Sequence, residues 1–170
     1  MKIAEVIDEL GSMPLVLEDE LKRLTDSELR QRPGKDNFSL LEQVCHLRDI
    51  EVEGYTRRLH LMLAEDRPTL HDLDGTTLAK VRDYNAQAFL PALGAFQAAR
   101  HANLQRLERM READLQRRGH LEKVGDITVG KLLEMWVTHD REHLKEIEAL
   151  LEFLREPVTA QPKPSQSLRT

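Results

Sequence analysis

The chain has 170 residues, of which 32% are charged and 40% hydrophobic, with a net charge of −5 and one cysteine. This length and composition are typical of one soluble domain with a sizeable core. A single cysteine excludes an intrachain disulfide framework and a multi-thiolate zinc site. The negative charge argues against nucleic acid as the main partner, because phosphate binding needs a basic face. No apolar run reaches the roughly 18 residues of a membrane span, and the N-terminus lacks a signal peptide's apolar core, so we expect a cytoplasmic protein without a membrane partner.

Hydrophobic spacing predicts two long helices in the first half of the chain. Helix one is expected over residues 2–24, where apolar residues recur at intervals of three and four. Gly11 and Pro14 should bend or interrupt it. The turn-forming stretch 32–37 follows, and Ser39 with a glutamate three residues later forms a capping box. Helix two should therefore begin at residue 40 and run to about 64.

The second half predicts two further helices and a tail. A long polar link at 65–78 leads to helix three at about 78–112, with a kink at Pro91. A connection at 114–126 follows, and Thr128 is the expected cap of helix four at 129–154. Residues 157–170 are polar and rich in proline, which predicts a flexible C-terminal tail. The sequence shows no internal repeat and no convincing strand.

Four long helices predict an all-α domain, a four-helix bundle that spans residues 1–156. Short links make neighbouring helices antiparallel, whereas a link as long as 65–78 permits a crossover between parallel helices. Bundles of this kind build metal sites in their cores from side chains on facing helices.

His139 and His143 are spaced by four residues on predicted helix four. This spacing places both imidazoles on one face, one turn apart, and the same face carries Leu132, Trp136 and Ile147. An unpaired polar group in the interior is costly, and one divalent metal ion would satisfy both histidines. The alternative is a pair of half-buried histidines that bind backbone groups or water.

His46 is the candidate for a third metal ligand. It lies early in predicted helix two, on a face with Gln43, Asp49 and Glu53 that is unusually polar for the interior. The alternative is that these carboxylates pair with nearby arginines on a solvated face. Cys45 points about 100° away from His46, so it cannot face the same ion and is expected in the core.

The stretch 39–51, followed by His139-Asp140-Arg141-Glu142-His143-Leu144, resembles the DinB-like superfamily over nearly the whole chain. These proteins are four-helix bundles related to DNA-damage-inducible proteins and to bacillithiol- and mycothiol-dependent transferases. The resemblance implies that His46, His139 and His143 bind one divalent metal ion. It also implies an up-down-down-up helix order, in agreement with the long link, and a homodimer. It does not imply a single reaction.

Three neutral imidazoles leave a coordination position open, as in catalytic zinc sites. Zinc or nickel is the expected ion, with iron or manganese as alternatives. The open position could activate water for hydrolysis or a low-molecular-weight thiol for transfer. Asp49, Glu53 and Asp140 are candidate catalytic carboxylates, which could accept a spare imidazole N–H or serve as general base. Glu53 could also be a fourth ligand.

The leading functional hypothesis is a metal-dependent enzyme that transfers a thiol to a small electrophile. Thiol transfer is preferred to hydrolysis only because of the family resemblance. The alternatives are a metal-dependent hydrolase and a non-catalytic, stress-related bundle in which the metal only ties helix two to helix four. A protein interaction module without a metal is a further alternative.

Overall fold

The computed structural model describes residues 1–156, and the predicted tail at 157–170 lies outside them. The described chain is mostly helical, as predicted, but it also contains three short strands. In chain order the elements are α1 (Ile3–Leu21), α2 (Asp26–Arg30), α3 (Leu40–Asp49), a π-helical segment (Ile50–Thr56), α4 (Arg57–Ala64), β1 (Thr69–Leu70), α5 (Gly75–Val81), a 3-10 turn (Tyr84–Ala86), α6 (Phe89–Glu108), a second 3-10 turn (Glu112–Gln116), β2 (Arg118–Leu121), β3 (Gly125–Thr128) and α7 (Val129–Arg155).

Two predicted helix starts are confirmed by their caps. The side chain of Ser39 accepts from the backbone N–H of Glu42, whose carboxylate accepts from the N–H of Ser39 at 2.9 Å. Thr128 caps α7 by accepting from the N–H of Lys131 at 3.1 Å. These side chains bind backbone donors that a helix start leaves without intrahelical partners. They therefore fix where α3 and α7, the two helices that carry the histidines, begin.

Helices one and three differ from the prediction. α1 runs through Gly11 and Pro14 without interruption, and the short helix α2 follows it. Predicted helix three is divided between α5 and α6 rather than kinked at Pro91. The division lies near Asp83, whose backbone is left-handed at φ 44°. Pro91 lies in the first turn of α6, where a missing N–H costs no intrahelical hydrogen bond.

Predicted helix two is continuous from 40 to 64, but its middle is the π segment. The hydroxyl of Thr56 in this segment donates to the backbone oxygen of Glu51 at 2.7 Å. A π turn holds more residues than an α turn, so the faces predicted from a 3.6-residue period no longer apply beyond residue 50. Glu51 is consequently buried, at 1% exposed, while the side chain of Glu53 is 40% exposed.

The prediction of no strand is wrong, because β1, β2 and β3 form one small sheet. β1 pairs in parallel with β2, and β2 pairs antiparallel with β3, placing His120 opposite both Thr69 and Asp126. Strands of two to four residues are too short for their alternation to be distinguished from a loop. The parallel pair also joins segments about 50 residues apart, which sequence spacing cannot indicate.

The hydrophobic core consists of two clusters. α7 contributes residues between Val129 and Val137 to one cluster and residues between Ile147 and Leu151 to the other. His139 and His143 lie in the interval between them. A polar layer therefore separates two apolar cores where α3 faces α7. Within residues 1–156, no helix combines the length and apolarity needed to cross a membrane.

Candidate metal centre

The fold brings His46 of α3 together with His139 and His143 of α7. The ring centroid of His46 lies 5.4 Å from that of His139 and 4.6 Å from that of His143, and the two α7 rings are 4.4 Å apart. One ring nitrogen from each histidine lies within 4.8 Å of the other two. The three residues predicted as metal ligands thus form a cluster with the spacing of a metal site.

The environment keeps at least two of these imidazoles neutral. Burial, together with the neighbouring histidines, lowers the pKa of His46 to about 3. Burial and His139 lower the pKa of His143 to about 4. A neutral imidazole retains a lone pair on one nitrogen, which is the form that binds metal ions.

The distance between two of the rings fits one shared ion. Nε2 of His46 lies 3.3 Å from Nε2 of His139. Two imidazole nitrogens bound to one tetrahedral zinc ion at about 2.0–2.1 Å would lie about 3.3–3.4 Å apart. The Nδ1 atoms of both rings are buried without a hydrogen-bond partner among the described residues. The donor set and its geometry therefore suit a divalent metal ion.

A cleft of about 620 Å³ opens onto His46 and His143. Its remaining lining residues are Pro33, Asp36, Asn37, Phe38, Gln43, Thr76, Glu146, Ala149, Leu150 and Phe153. A second, smaller cleft of about 340 Å³ reaches His139 beside Tyr55 and Met135. The size and mixed lining of the first cleft are those of a small-molecule site.

Comparisons with known proteins identify the family of this chain. The family model described as the DinB superfamily matches residues 12–147. The chain belongs to the DinB superfamily. A curated relative from Oceanobacillus iheyensis, named as an inferred metal-dependent hydrolase, is 24% identical over 148 residues, covering 87% of this chain and 85% of the relative. The family resemblance predicted from the histidine motifs is thus confirmed.

A solved structure shows the same fold. The structure of YfiT from Bacillus subtilis matches with a TM-score of 0.81 at 21% identity, over 89% of this chain and 87% of that one. YfiT is described as a probable metal-dependent hydrolase with an unusual four-helix bundle topology. At 21% identity this likeness shows the fold alone, and it supports a four-helix bundle for this chain.

Two of the predicted catalytic carboxylates are held by Arg82 rather than turned into the first cleft. Arg82 donates to Asp49 at 2.6 Å and to both oxygens of Glu53 at 2.6 and 3.1 Å. Asp49 also accepts from Arg48 at 2.7 Å and from the hydroxyl of Tyr84 at 2.6 Å. Burial acts to raise the pKa of Asp49, but these hydrogen bonds outweigh it and hold the pKa below its usual value.

The third predicted carboxylate, Asp140, is buried beside the cluster. Its Oδ1 lies 3.9 Å from Nδ1 of His139, and Arg100 donates to both of its oxygens at 2.6 and 3.1 Å. Burial acts to raise the pKa of Asp140, but His139 and Arg100 lower it by more. The pKa of Asp140 is therefore below its usual value, and the carboxylate stays ionised. Among residues 1–156, the carboxylates that line the first cleft are those of Asp36 and Glu146.

Sequence reasoning missed two residues that shape the site. An added Cβ at Gly75 would lie 2.3 Å from Cε1 and 2.6 Å from Nδ1 of His46, so only glycine leaves room for that ring. Gln43 contacts His143 across the interface between α3 and α7 at 2.7 Å. The sequence indicated Gln43 by its position one turn before His46 on an unusually polar face. For Gly75 the sequence indicated only a helix start.

Proposed function

We propose that this protein is a metal-dependent hydrolase of a small molecule, with one divalent ion held by His46, His139 and His143. The observation that carries the proposal is the 3.3 Å approach of two imidazole Nε2 atoms beside a cleft of about 620 Å³. The depressed pKa values of His46 and His143 support the same assignment, because neutral rings are ready to bind an ion. The names of the relatives support hydrolysis.

The proposed chemistry divides between the ion and the chain. The ion would supply Lewis acidity, which polarises a carbonyl and makes water a better nucleophile near neutral pH. Phe38, Leu150 and Phe153 in the cleft wall would bind the apolar part of a substrate. We propose that Asp140, fixed by Arg100, acts on His139 as a positioning residue. The predicted catalytic roles of Asp49 and Glu53 stay predictions.

Thiol transfer uses the same three histidines and remains the second candidate reaction, supported by the family resemblance alone. Zinc and nickel are the proposed ions, because an all-imidazole site suits both. A structural metal in a non-catalytic bundle predicts that metal removal unfolds the protein, whereas a catalytic ion should leave a folded, inactive bundle.

The first experiment is elemental analysis of protein purified without chelator or a nickel column. We expect about one equivalent of metal in the parent protein and little in His143→Ala, since the variant keeps only two ligands. His101→Ala is the matched control, because His101 is an exposed helical histidine that contacts Gln105. Metal-loaded protein is then assayed against ester, amide and thiol-acceptor substrates.

Two outcomes would overturn the proposal. A parent protein that takes up no zinc, nickel or manganese on reconstitution would leave the interaction module as the favoured function. A metal-loaded protein that transfers a thiol and hydrolyses nothing would replace hydrolysis with transfer.

The remaining predictions concern assembly and location. We propose the up-down-down-up helix order with a crossover in 65–78, one domain over residues 1–156, a homodimer and a cytoplasmic location. Size-exclusion chromatography with light scattering tests the homodimer directly.

A further inference from the structure

Gln43 lies between His143 and Glu146, on the face of α3 that also carries His46. Its Oε1 is 2.7 Å from Nδ1 of His143, and its Nε2 donates to a carboxylate oxygen of Glu146 at 2.7 Å. The side chain of Gln43 is buried, at 3% exposed. One amide therefore joins α3 to α7 beside the histidine cluster.

The contact to Glu146 decides which end of the amide faces His143. An ionised carboxylate only accepts hydrogen bonds, so the NH2 group of Gln43 must point toward Glu146. The amide oxygen then points toward His143, and this oxygen also only accepts. A carboxylate oxygen of Glu146 also lies 3.3 Å from Nδ1 of His143. Both neighbours of Nδ1 are acceptors, so Nδ1 of His143 must carry the proton. The lone pair of a neutral ring is then on Nε2, which is the nitrogen left for a metal ion.

We infer that Gln43 is a positioning residue that holds His143 in the Nδ1–H tautomer, with Glu146 orienting its amide. This inference rests on the proposed metal site. The other two ligands differ, because Nδ1 of His46 and Nδ1 of His139 have no hydrogen-bond partner within the described part of the chain. Of the three rings, His143 is thus the one whose Nδ1 lies within hydrogen-bond distance of an acceptor in residues 1–156.

The first test reads the tautomer directly in metal-free protein. Long-range ¹H–¹⁵N correlation spectra at neutral pH should show His143 with its proton on Nδ1. In Gln43→Leu we expect the signal to move part of the way toward the Nε2–H form, because Glu146 remains as the second acceptor at Nδ1. In the double variant Gln43→Leu/Glu146→Ala the shift should be larger, since an unconstrained imidazole favours the Nε2–H form in water. A merely structural role for Gln43 would not move this signal in a folded variant.

The matched control is Gln97→Leu. Gln97 is a half-buried glutamine that, like Gln43, donates to a glutamate across a helix interface, here to Glu18 at 2.9 Å, and the structure gives it no contact with the cluster. It should leave the tautomer of His143 unchanged. Comparing the two variants separates the loss of a hydrogen bond to His143 from the loss of any buried amide.

The second test measures zinc affinity by competition with a chelator. Loss of a group that orients a metal ligand costs about 10- to 100-fold in metal affinity, so we expect that loss in Gln43→Leu and none in Gln97→Leu. Glu146→Ala should give a smaller loss of affinity and a mixture of tautomers, because the amide of Gln43 is then free to turn over and Nδ1 of His143 loses its second acceptor. Glu146 is exposed at the cleft wall, so this variant tests the inference even if Gln43→Leu does not fold.

An Nε2–H signal for His143 in the parent would overturn the inference, as would a Gln43→Leu protein with the parental tautomer and zinc affinity. If the parent binds no zinc, the proposed function fails, while the tautomer spectra still decide the role of Gln43.

Discussion

Arg100 donates from Nη1 to the backbone oxygen of Leu10 at 2.6 Å. This oxygen is the one that would accept from residue 14 in a regular helix, and Pro14 has no N–H to give. The same guanidinium binds both oxygens of Glu51 at 2.9 Å and both oxygens of Asp140. One buried arginine thus lets α1 continue through its proline and joins it to the π segment and to α7.

We expect Arg100→Met to be strongly destabilising. Arg100 and Glu51 are each 1% exposed, so the variant would leave two buried carboxylates without their cation. Breaking a buried ion pair by removing one partner costs about 3–5 kcal/mol. Urea unfolding monitored by circular dichroism measures the change in the free energy of unfolding.

The control for this prediction is Arg141→Met. Arg141 pairs with Glu9 on the surface, where their side chains are 58% and 41% exposed, so solvent screens the pair and its loss should cost far less than the loss of Arg100. Equal effects of the two substitutions would contradict the importance assigned to the buried arginine.

Gly75→Ala should weaken metal binding without unfolding the protein. The new methyl group would lie 2.3 Å from Cε1 of the His46 ring, so the ring must leave the position in which its Nε2 faces His139. We expect zinc affinity to fall by about tenfold or more, as for other losses of ligand orientation. Gly94→Ala is the control, because an added Cβ there meets no atom within 4 Å. An unchanged affinity in Gly75→Ala would mean that His46 is not a ligand in the observed position.

The stability of the metal-free protein should fall as the pH is lowered. Histidine in an unfolded chain titrates near about 6.5, whereas burial lowers the pKa of His46 to about 3 and that of His143 to about 4. Between these values the unfolded state binds more protons, so protonation favours unfolding. From about pH 7 to about pH 5 we expect a loss of about 1–2 kcal/mol per histidine.

Urea unfolding across this pH range provides the measurement, with His143→Leu as the comparison. The variant has lost one of the two groups with a depressed pKa, so its dependence on pH should be shallower. A pH-independent parent would show that the histidines are accessible to protons in the folded state.

Glu53→Gln tests the predicted catalytic role of that carboxylate. Both oxygens of Glu53 bind Arg82, and neither contacts a histidine, so metal content should stay near that of the parent. If Glu53 is a general base, hydrolytic activity should fall by about 10²–10⁴-fold at unchanged metal content. Activity within a few-fold of the parent would assign Glu53 to the salt bridge alone, and a loss of metal would favour the fourth-ligand alternative.

The sequence predicted the helical class and the His139–His143 pair, because both follow from short-range periodicity. The helix caps at Ser39 and Thr128 and the four-residue spacing of the two histidines are local features of a helix, so they are visible without tertiary information. His46 was found because it lies on a polar face next to such a cap. The family resemblance then joined the two motifs, and the structure brings all three rings together.

Other features depended on contacts that periodicity does not encode. The uninterrupted α1 requires a guanidinium from α6 to replace the hydrogen bond that Pro14 removes, and the small sheet requires pairing between distant segments. The π segment shifts the helical face by part of a turn, so Glu51 rather than Glu53 turns inward.

The sequence by itself therefore determined which residues have metal-binding chemistry and which helices carry them. Only the tertiary structure decided what surrounds each of them. Side chains from other helices decide whether a carboxylate such as Asp49 pairs with an arginine or a histidine. They also decide whether Gly75 or Gln43 contacts a histidine of the cluster. Spacing along one helix fixes a direction, but the energy of a buried polar group is set by the partners it meets across the core.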